Sequence, residues 1–452
     1  MAVPDEFFNP RSVAIIGASR YKGKVGHEVL RNFVKKFKGN IFCVNPRARS
    51  ILGKACYASV SSIPKPIDLA VITTPSSIVP QVLQDCVAKK VPAVILITSG
   101  FGELGELGRK KEAELRKIIS NSNTRVLGPN CMGMISAVVD TNFNPEEKQK
   151  RPKAGNIAFL SQSGAVGSTI IDFLAEEGIG ISSFVSYGNQ TDIDESDFIE
   201  YFGSDKSTKV ITMYLEGVKY GQKFLHKSKS ASKVKPILAI KAGKTSSGEK
   251  AVMSHTGALA GSSAVYSGIF KQAGIIEVDS WEELFDAAVA FSTQPLPKGN
   301  RLAVVTDGGG FGVLAADAAD KLGLALPAPP PSTLKVFREK FPPYVAVKNP
   351  IDLTGDADVD RYKIAIEECL RSKEYDGVLA ITLFQLPSLD PAVADVMIQL
   401  KKRYKKPLLV CSTGSAYTQK IARKLEANGI PVYPTPERAV AAYAALCGYK
   451  SS

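Results

Sequence analysis

A chain of 452 residues that is 44% hydrophobic and 22% charged has the composition of a soluble globular protein with room for about three domains. No apolar run nears the ~20 residues of a membrane helix, and the opening MAVPDEFFNP shows no basic-then-apolar leader, so the expected location is the cytoplasm. The net charge of +13 attracts anions, but dispersed basic residues without interleaved aromatics argue against nucleic acid, and seven scattered cysteines without a CxxC pair argue against a disulfide framework or a zinc site.

Residues 1–150 alternate short, uniformly apolar runs (12–16, 40–44, 69–73, 93–97 and 124–127) with helical stretches such as 27–36 and 78–89. Runs without polar alternation suit strands buried on both faces. Their alternation with helices predicts a parallel sheet wound on both sides. The first run opens into Gly17-Ala-Ser-Arg-Tyr-Lys-Gly-Lys-Val-Gly26, a turn between strand and helix, where backbone N–H groups favour phosphate. It is not G-x-G-x-x-G, and the second run ends Val44-Asn-Pro-Arg47 without the acidic residue that an NAD ribose wants. Lys22, Lys24 and Arg47 supply positive charge instead. A ligand with more phosphate than NAD fits better, with NADP still open. The remaining strand ends, at 74–77, 98–101 and 128–133, are small and polar, as the carboxyl edge of an open sheet requires at a ligand crevice.

A polar, proline-bearing join at 141–153 leads into two further α/β segments that resemble each other. One opens Asn156-Ile-Ala-Phe-Leu-Ser-Gln-Ser-Gly-Ala-Val-Gly167, the other Arg301-Leu-Ala-Val-Val-Thr-Asp-Gly-Gly-Gly-Phe-Gly312. Ser161 falls against Thr306 and Gly164 against Gly309; residues 209–216 match 376–383, and 236–243 match 407–414. Both copies are expected to be flavodoxin-like layers, joined at 291–300. The first copy holds an insertion of about 16 residues relative to the second, and His255, one of three histidines, lies inside it in Ala-Val-Met-Ser-His-Thr-Gly-Ala-Leu-Ala-Gly. A long segment of this kind on a compact domain reads as a functional loop.

Each glycine-rich helix start offers N–H donors for phosphate, at Gly164 in one copy and at Gly309 and Gly310 in the other, with hydroxyls from Ser161, Ser163 and Thr306 beside them. A neutral imidazole between two such helix starts is suited to carry a phosphoryl group. Its second ring nitrogen needs a carboxylate, and Glu216, ending a buried strand at the carboxyl edge, is the candidate. No G-x-x-x-x-G-K-[ST] motif occurs, and no segment is left over for a nucleotide-binding domain, so the nucleotide is expected on another chain.

Taken together, residues 12–26, Gly128-Pro-Asn-Cys131, Ser161-Gln-Ser-Gly164, Ser254-His-Thr-Gly257 and Asp307-Gly-Gly-Gly-Phe-Gly312 resemble the α subunits of archaeal ADP-forming acetyl-CoA synthetases, relatives of succinyl-CoA synthetase. The resemblance covers nearly the whole chain. It implies a Rossmann-like CoA-binding domain at 1–150 followed by two flavodoxin-like α/β domains at 151–295 and 296–452. It also implies the reaction acyl-CoA + ADP + phosphate = acid + CoA + ATP, through an acyl phosphate and a phosphohistidine at His255. By the same resemblance CoA is held by Gly17, Ser19, Lys22, Lys24, Val25, Asn45 and Lys54, with Thr74, Ser99 and Asn130 near the thiol end. The resemblance further implies that ADP or ATP with Mg sits on an ATP-grasp β subunit in an α2β2 assembly, and no metal, nucleic acid or membrane is expected on this chain. The competing readings are a CoA-binding regulatory module without catalysis and, on the residues of the first turn alone, an NADP oxidoreductase.

Overall fold

The computed structural model describes the backbone of residues 2–256 and 262–449, and the side chains of all of these except 253–256. The chain divides into two compact units, Met1–Asp279 and Ser280–Lys450.

The first unit holds two sheets. One contains β1 (Ser12–Ile16), β2 (Asn40–Val44), β3 (Ser50–Ile51), β4 (Lys54–Tyr57), β5 (Leu69–Ile72), β6 (Ala93–Leu96) and β7 (Arg125–Leu127) in the order β3-β4-β2-β1-β5-β6-β7. Apart from the antiparallel edge pair β3–β4, its pairings are parallel, and the order is that of a Rossmann sheet. All residues of β1, β5, β6 and β7 are buried, which explains why those runs carry no polar alternation. Helices α1 (Val25–Lys36), α2 (Val79–Ala88) and α3 (Glu106–Ile119) cover the sheet, with a short 3-10 helix, Gly102–Leu104, before α3.

The second sheet holds β8 (Gly133–Ile135), β9 (Ala154–Ser161), β10 (Ile181–Ser186), β11 (Val210–Leu215), β12 (Ile237–Lys241) and β13 (Ile275–Val278) in the order β13-β12-β11-β9-β10-β8. Counted from β9, this is the flavodoxin order with β8 added antiparallel against β10. Helices α4 (Gly164–Glu176), α5 (Glu195–Ser204), α6 (Gly221–Ala231), α7 (Ser246–Thr256) and α8 (Ser263–Ala273) belong to this layer. The two layers are tied by Arg125, whose Nε reaches both carboxylate oxygens of Asp192 at 3.1 and 2.9 Å while Asp192 also accepts the Val126 N–H at 2.8 Å.

The second unit opens with α9 (Trp281–Thr293) and builds β14 (Leu302–Thr306), β15 (Ile351–Asp352), β16 (Gly377–Ile381), β17 (Leu408–Cys411) and β18 (Val432–Tyr433) into the order β15-β14-β16-β17-β18. This is again the flavodoxin order, and α10 (Gly309–Lys321) follows β14 as α4 follows β9. The internal repeat therefore extends to strand order.

One expectation is corrected. The segment before and through His255 is helical as far as Thr256, not a loop. Thr245 accepts the Gly248 N–H at 3.1 Å, as a helix N-cap does, and Glu249, Ala251 and Met253 are good helix formers. Within the insertion, residues 257–261 lie outside the described residues.

Candidate active site

The first sheet supplies a glycine turn and the start of α1. Gly17 has φ +94°, and a Cβ there would meet Thr73 Oγ1 at 2.8 Å. A Cβ on Gly26 would lie 2.1 Å from the Gly17 carbonyl oxygen. Only hydrogen at both positions lets the first turn of α1 rest on the end of β1. Asn45 shapes the same corner, donating to the Ala18 carbonyl at 2.7 Å and accepting the Arg47 N–H at 2.8 Å. Ser19 Oγ accepts the Tyr21 N–H at 3.1 Å, and the Ser19 carbonyl lies 2.9 Å from His27 Nδ1, which gives that buried histidine a structural partner. Lys22 and Lys24 are exposed beside this corner, and Lys54 opens β4 half-buried.

A cleft of about 1500 Å³ opens in the first unit. Its walls bring together Val25, Thr74, Ser99 and Asn130 from the first layer and Ser163, Gly164 and Glu216 from the second. Gly17, Ser19, Lys22, Lys24, Asn45, Lys54 and Ser161 are outside its lining. Asn130 sits after the cis Gly128–Pro129 bond with φ +57°, and its N–H donates to the Thr98 carbonyl at 3.0 Å.

The second-layer wall is built at the end of β9. Ser161 is fully buried, and its hydroxyl donates to the Ser163 carbonyl at 2.7 Å, closing the turn. Ser163 caps α4, accepting the Val166 N–H at 3.3 Å. Gly164, the first residue of α4, has room around it: a Cβ would find nothing nearer than 3.8 Å. The opening N–H groups of a helix have no intrahelical partners, so this end is set up for an anion. Gln162 reaches across to β11 and accepts the Glu216 and Gly217 N–H groups at 2.8 and 3.0 Å. Glu216 is 5% exposed yet lines the cleft. Its charge adds to the effect of burial on Tyr214, whose hydroxyl is pushed up to about 12.

The second unit repeats this construction with changed side chains. Thr306 donates to the Gly308 carbonyl at 3.1 Å, as Ser161 does to Ser163. Asp307 stands where Gln162 does and accepts the Leu383 N–H at 3.1 Å, so Leu383 occupies the place of Glu216. Asp352 pairs with Thr306 as Ser186 pairs with Ser161, and a Cβ on Gly309 would lie 2.6 Å from Asp352 Oδ2. The start of α10 thus has a carboxylate beside it where α4 has a serine, while Gly310 is exposed with open space around it.

His255 lies in the last turn of α7, whose backbone passes the 3-10 helix Gly102–Leu104 at the cleft; its side chain is outside the described residues. Among the described residues no cluster of three His, Cys, Asp or Glu side chains could hold a metal, and no helix is long and apolar enough to cross a membrane.

Sequence reasoning missed Gln162, although it lies inside the quoted Ser161-Gln-Ser-Gly164 motif, and missed Asn189 and Lys219, which line the cleft from loops with no motif of their own. A polar side chain at a strand end or in a loop carries no periodicity, so only the folded geometry picks it out.

Three domain families match in succession: a CoA binding domain at 11–137, a succinyl-CoA ligase-like flavodoxin domain at 154–291 and a ligase-CoA domain at 302–451. The chain is 42% identical to the acetate–CoA ligase [ADP-forming] I subunit alpha of Pyrococcus furiosus, covering 98% of this chain and 96% of that one. The chain belongs to this family of α subunits. A solved relative of these α subunits is the dinucleotide-forming acetyl-coenzyme A synthetase 1 of Ca. Korarchaeum cryptofilum in complex with phosphate and ADP. It superposes with a TM-score of 0.93 at 38% identity, over 98% of this chain and 96% of that one. The acetate–CoA ligase [ADP-forming] of Methanocaldococcus jannaschii is 40% identical over 97% of this chain, which spans only 62% of it. An α subunit of this family therefore corresponds to one part of a longer polypeptide in that relative.

Proposed function

We propose that this chain is the CoA-binding, phosphoryl-carrying subunit of an ADP-forming acid–CoA ligase, which turns acyl-CoA, ADP and phosphate into acid, CoA and ATP. The observation that carries the reading is the single cleft in which Thr74, Ser99 and Asn130 face Ser163, Gly164 and Glu216. A thioester and an inorganic phosphate are the two reactants such a pair of walls would bring together.

In this reading the glycine turn at Gly17, with Ser19, Lys22, Lys24, Val25, Asn45 and Lys54, holds the phosphate-rich end of CoA, and the arm runs past Thr74 towards Asn130. The α4 start at Ser163–Gly164 holds phosphate, its donors opposing the charge on the phosphoryl oxygens. A phosphate oxygen attacks the thioester carbonyl carbon, the C–S bond breaks, and CoA leaves as a thiolate that takes up a proton. A ring nitrogen of His255 then attacks phosphorus, and the acid departs with the electrons of the P–O bond. Glu216 holds the other ring nitrogen and balances the imidazolium charge. The phosphoryl group passes to ADP on an ATP-grasp β subunit, which also brings Mg, within an α2β2 assembly. Gly309 and Gly310 at the start of α10, on the turn that Thr306 closes, serve as a second phosphate site.

The test uses the chain with its ATP-binding partner and labelled ATP. An acid-labile, base-stable label on this chain is expected, and His255→Ala abolishes it. A label that persists in that variant overturns the assignment. No label on the wild-type chain, with CoA bound, would favour a non-catalytic CoA binder.

A further inference from the structure

One amide in the cleft spans its two layers. Asn189, in the loop after β10, donates from Nδ2 to Glu103 Oε2 at 2.7 Å and to Glu112 Oε1 at 2.8 Å. Its Oδ1 faces Asn130 Nδ2 at 3.3 Å, and its N–H donates to the Pro129 carbonyl at 2.9 Å. The two glutamates in turn hold the loop at 99–102: Glu103 Oε1 accepts the Gly100 and Phe101 N–H groups, and Glu112 Oε1 accepts the Gly102 N–H at 2.8 Å. That loop carries Ser99 on the cleft wall. Two carboxylates sharing one small space repel unless a donor stands between them, and a primary amide has two N–H groups to give. Burial alone would raise the Glu103 carboxyl, but the Asn189 and backbone N–H groups outweigh it and hold it below the usual range.

We propose that Asn189 is a positioning residue for acyl-CoA: by bridging Glu103 and Glu112 from the opposite layer, it fixes the loop at 99–102 and the Asn130 turn in the shape that takes the thiol end of the CoA arm. This rests on the CoA reading above. The charged groups facing the bridge are Glu103, Glu112, Arg116 at 3.8 Å from Glu112, Lys111, which donates to the Gly100 carbonyl, and Lys219, which donates to the Asn189 carbonyl. None of these cations reaches between the two carboxylate oxygens that Asn189 separates. Removing the amide therefore releases the loop, and replacing it with a carboxylate puts three acids in one place.

The experiment measures CoA affinity by calorimetry, and the KM for CoA and for phosphate with the partner subunit present, on the full chain. Asn189→Ala is expected to weaken CoA about tenfold and leave the KM for phosphate within twofold. Asn189→Asp, nearly isosteric, is expected to gain CoA affinity relative to the wild type at the same pH as pH falls from 8 to 6. The double change Glu103→Gln with Asn189→Asp restores a donor on the Glu103 side while Glu112 still faces a carboxylate, and is expected to recover part of the affinity at pH 8. Thermal melts report whether each variant folds. Wild-type CoA affinity in Asn189→Ala, equal losses for CoA and phosphate, or an Asn189→Asp deficit relative to the wild type that neither changes with pH nor is rescued would each overturn the inference. A wild-type chain that binds no CoA would overturn the CoA reading itself, and this inference with it.

Discussion

Gln162 accepts the backbone N–H of Glu216 at 2.8 Å, so the residue that precedes the capping serine of α4 also sets where the cleft carboxylate begins. The bond, with its companion to Gly217 at 3.0 Å, joins the ends of β9 and β11. Gln162→Ala leaves two buried N–H groups without that acceptor, a loss of about 1–3 kcal/mol for each that finds no other partner. Ligase turnover is expected to fall at least roughly tenfold as the carboxylate loses its fixed place. The KM for CoA should hold, because no first-layer wall residue depends on this bond. Thermal melts and steady-state kinetics check both statements, and unchanged turnover would show that Glu216 is held by other means.

Glu216→Gln keeps the shape of the side chain and removes its charge. An amide cannot balance an imidazolium, so phosphorylation of His255 is expected to slow about a hundredfold. CoA affinity should not move, since Glu216 lies on the wall opposite Thr74 and Asn130. Labelling rate and calorimetry separate the two effects. Equal loss of both would place this carboxylate at the CoA arm instead.

Gly164→Ala separates packing from binding. The nearest atom to the new Cβ is 3.8 Å away, ordinary contact, so the fold accepts the methyl group. Stability should stay level or rise by up to about 1 kcal/mol, as alanine suits a helix better than glycine. The methyl group occupies cleft space at the helix start, and the KM for phosphate is expected to rise about tenfold. A lowered melting temperature with unchanged KM would contradict this division.

Glu195 gives the cleft's surroundings a pH dependence. It is buried at the start of α5, and burial, with the Asp194 charge added, pushes its carboxyl up to about 8, against the pull of Lys223. An acid with a raised folded pKa holds its proton more tightly when folded. Its contribution is complete below its unfolded value near ~4.3 and is lost as pH rises towards 8, at up to about 1.4 kcal/mol per pH unit. Glu195→Gln cannot titrate and remains within reach of the Gln190 side chain, which donates to Glu195 at 2.6 Å. The variant should lose less melting temperature than the wild type between pH 5 and pH 8. Parallel curves would mean that Glu195 is ionised throughout.

Much of this architecture is legible in the residues because burial on both faces forces it. Strands such as β1 and β5 have no solvent side, so their apolar runs locate the sheet and the glycines mark its carboxyl edge. The repeat is legible for the same reason, since Ser161 and Thr306 close equivalent turns with equivalent bonds. The helical course of α7 was hidden by Ser246, Ser247 and Gly248, residues that read as a loop until Thr245 caps them. Asn189 was hidden more deeply. Its importance arises from which two glutamates the fold sets opposite it, and these lie 86 and 77 positions away.

The path of β8 bears on how ligands pass through. The chain leaves the first sheet at Leu127 and by Gly133 is already hydrogen-bonded into the second, against Ser186 of β10. The short span between them, which carries Asn130 and Met132 into the cleft, is thus sewn into a different sheet at each end. Swinging the two sheets apart would have to break the main-chain bonds that flank this span, from the Thr191 N–H to the Gly128 carbonyl at 3.1 Å and from the Ile193 N–H to the Val126 carbonyl at 3.2 Å. The gap between the Asn130 wall and the α4 start is thereby set by main-chain bonds on both sides of one short connection.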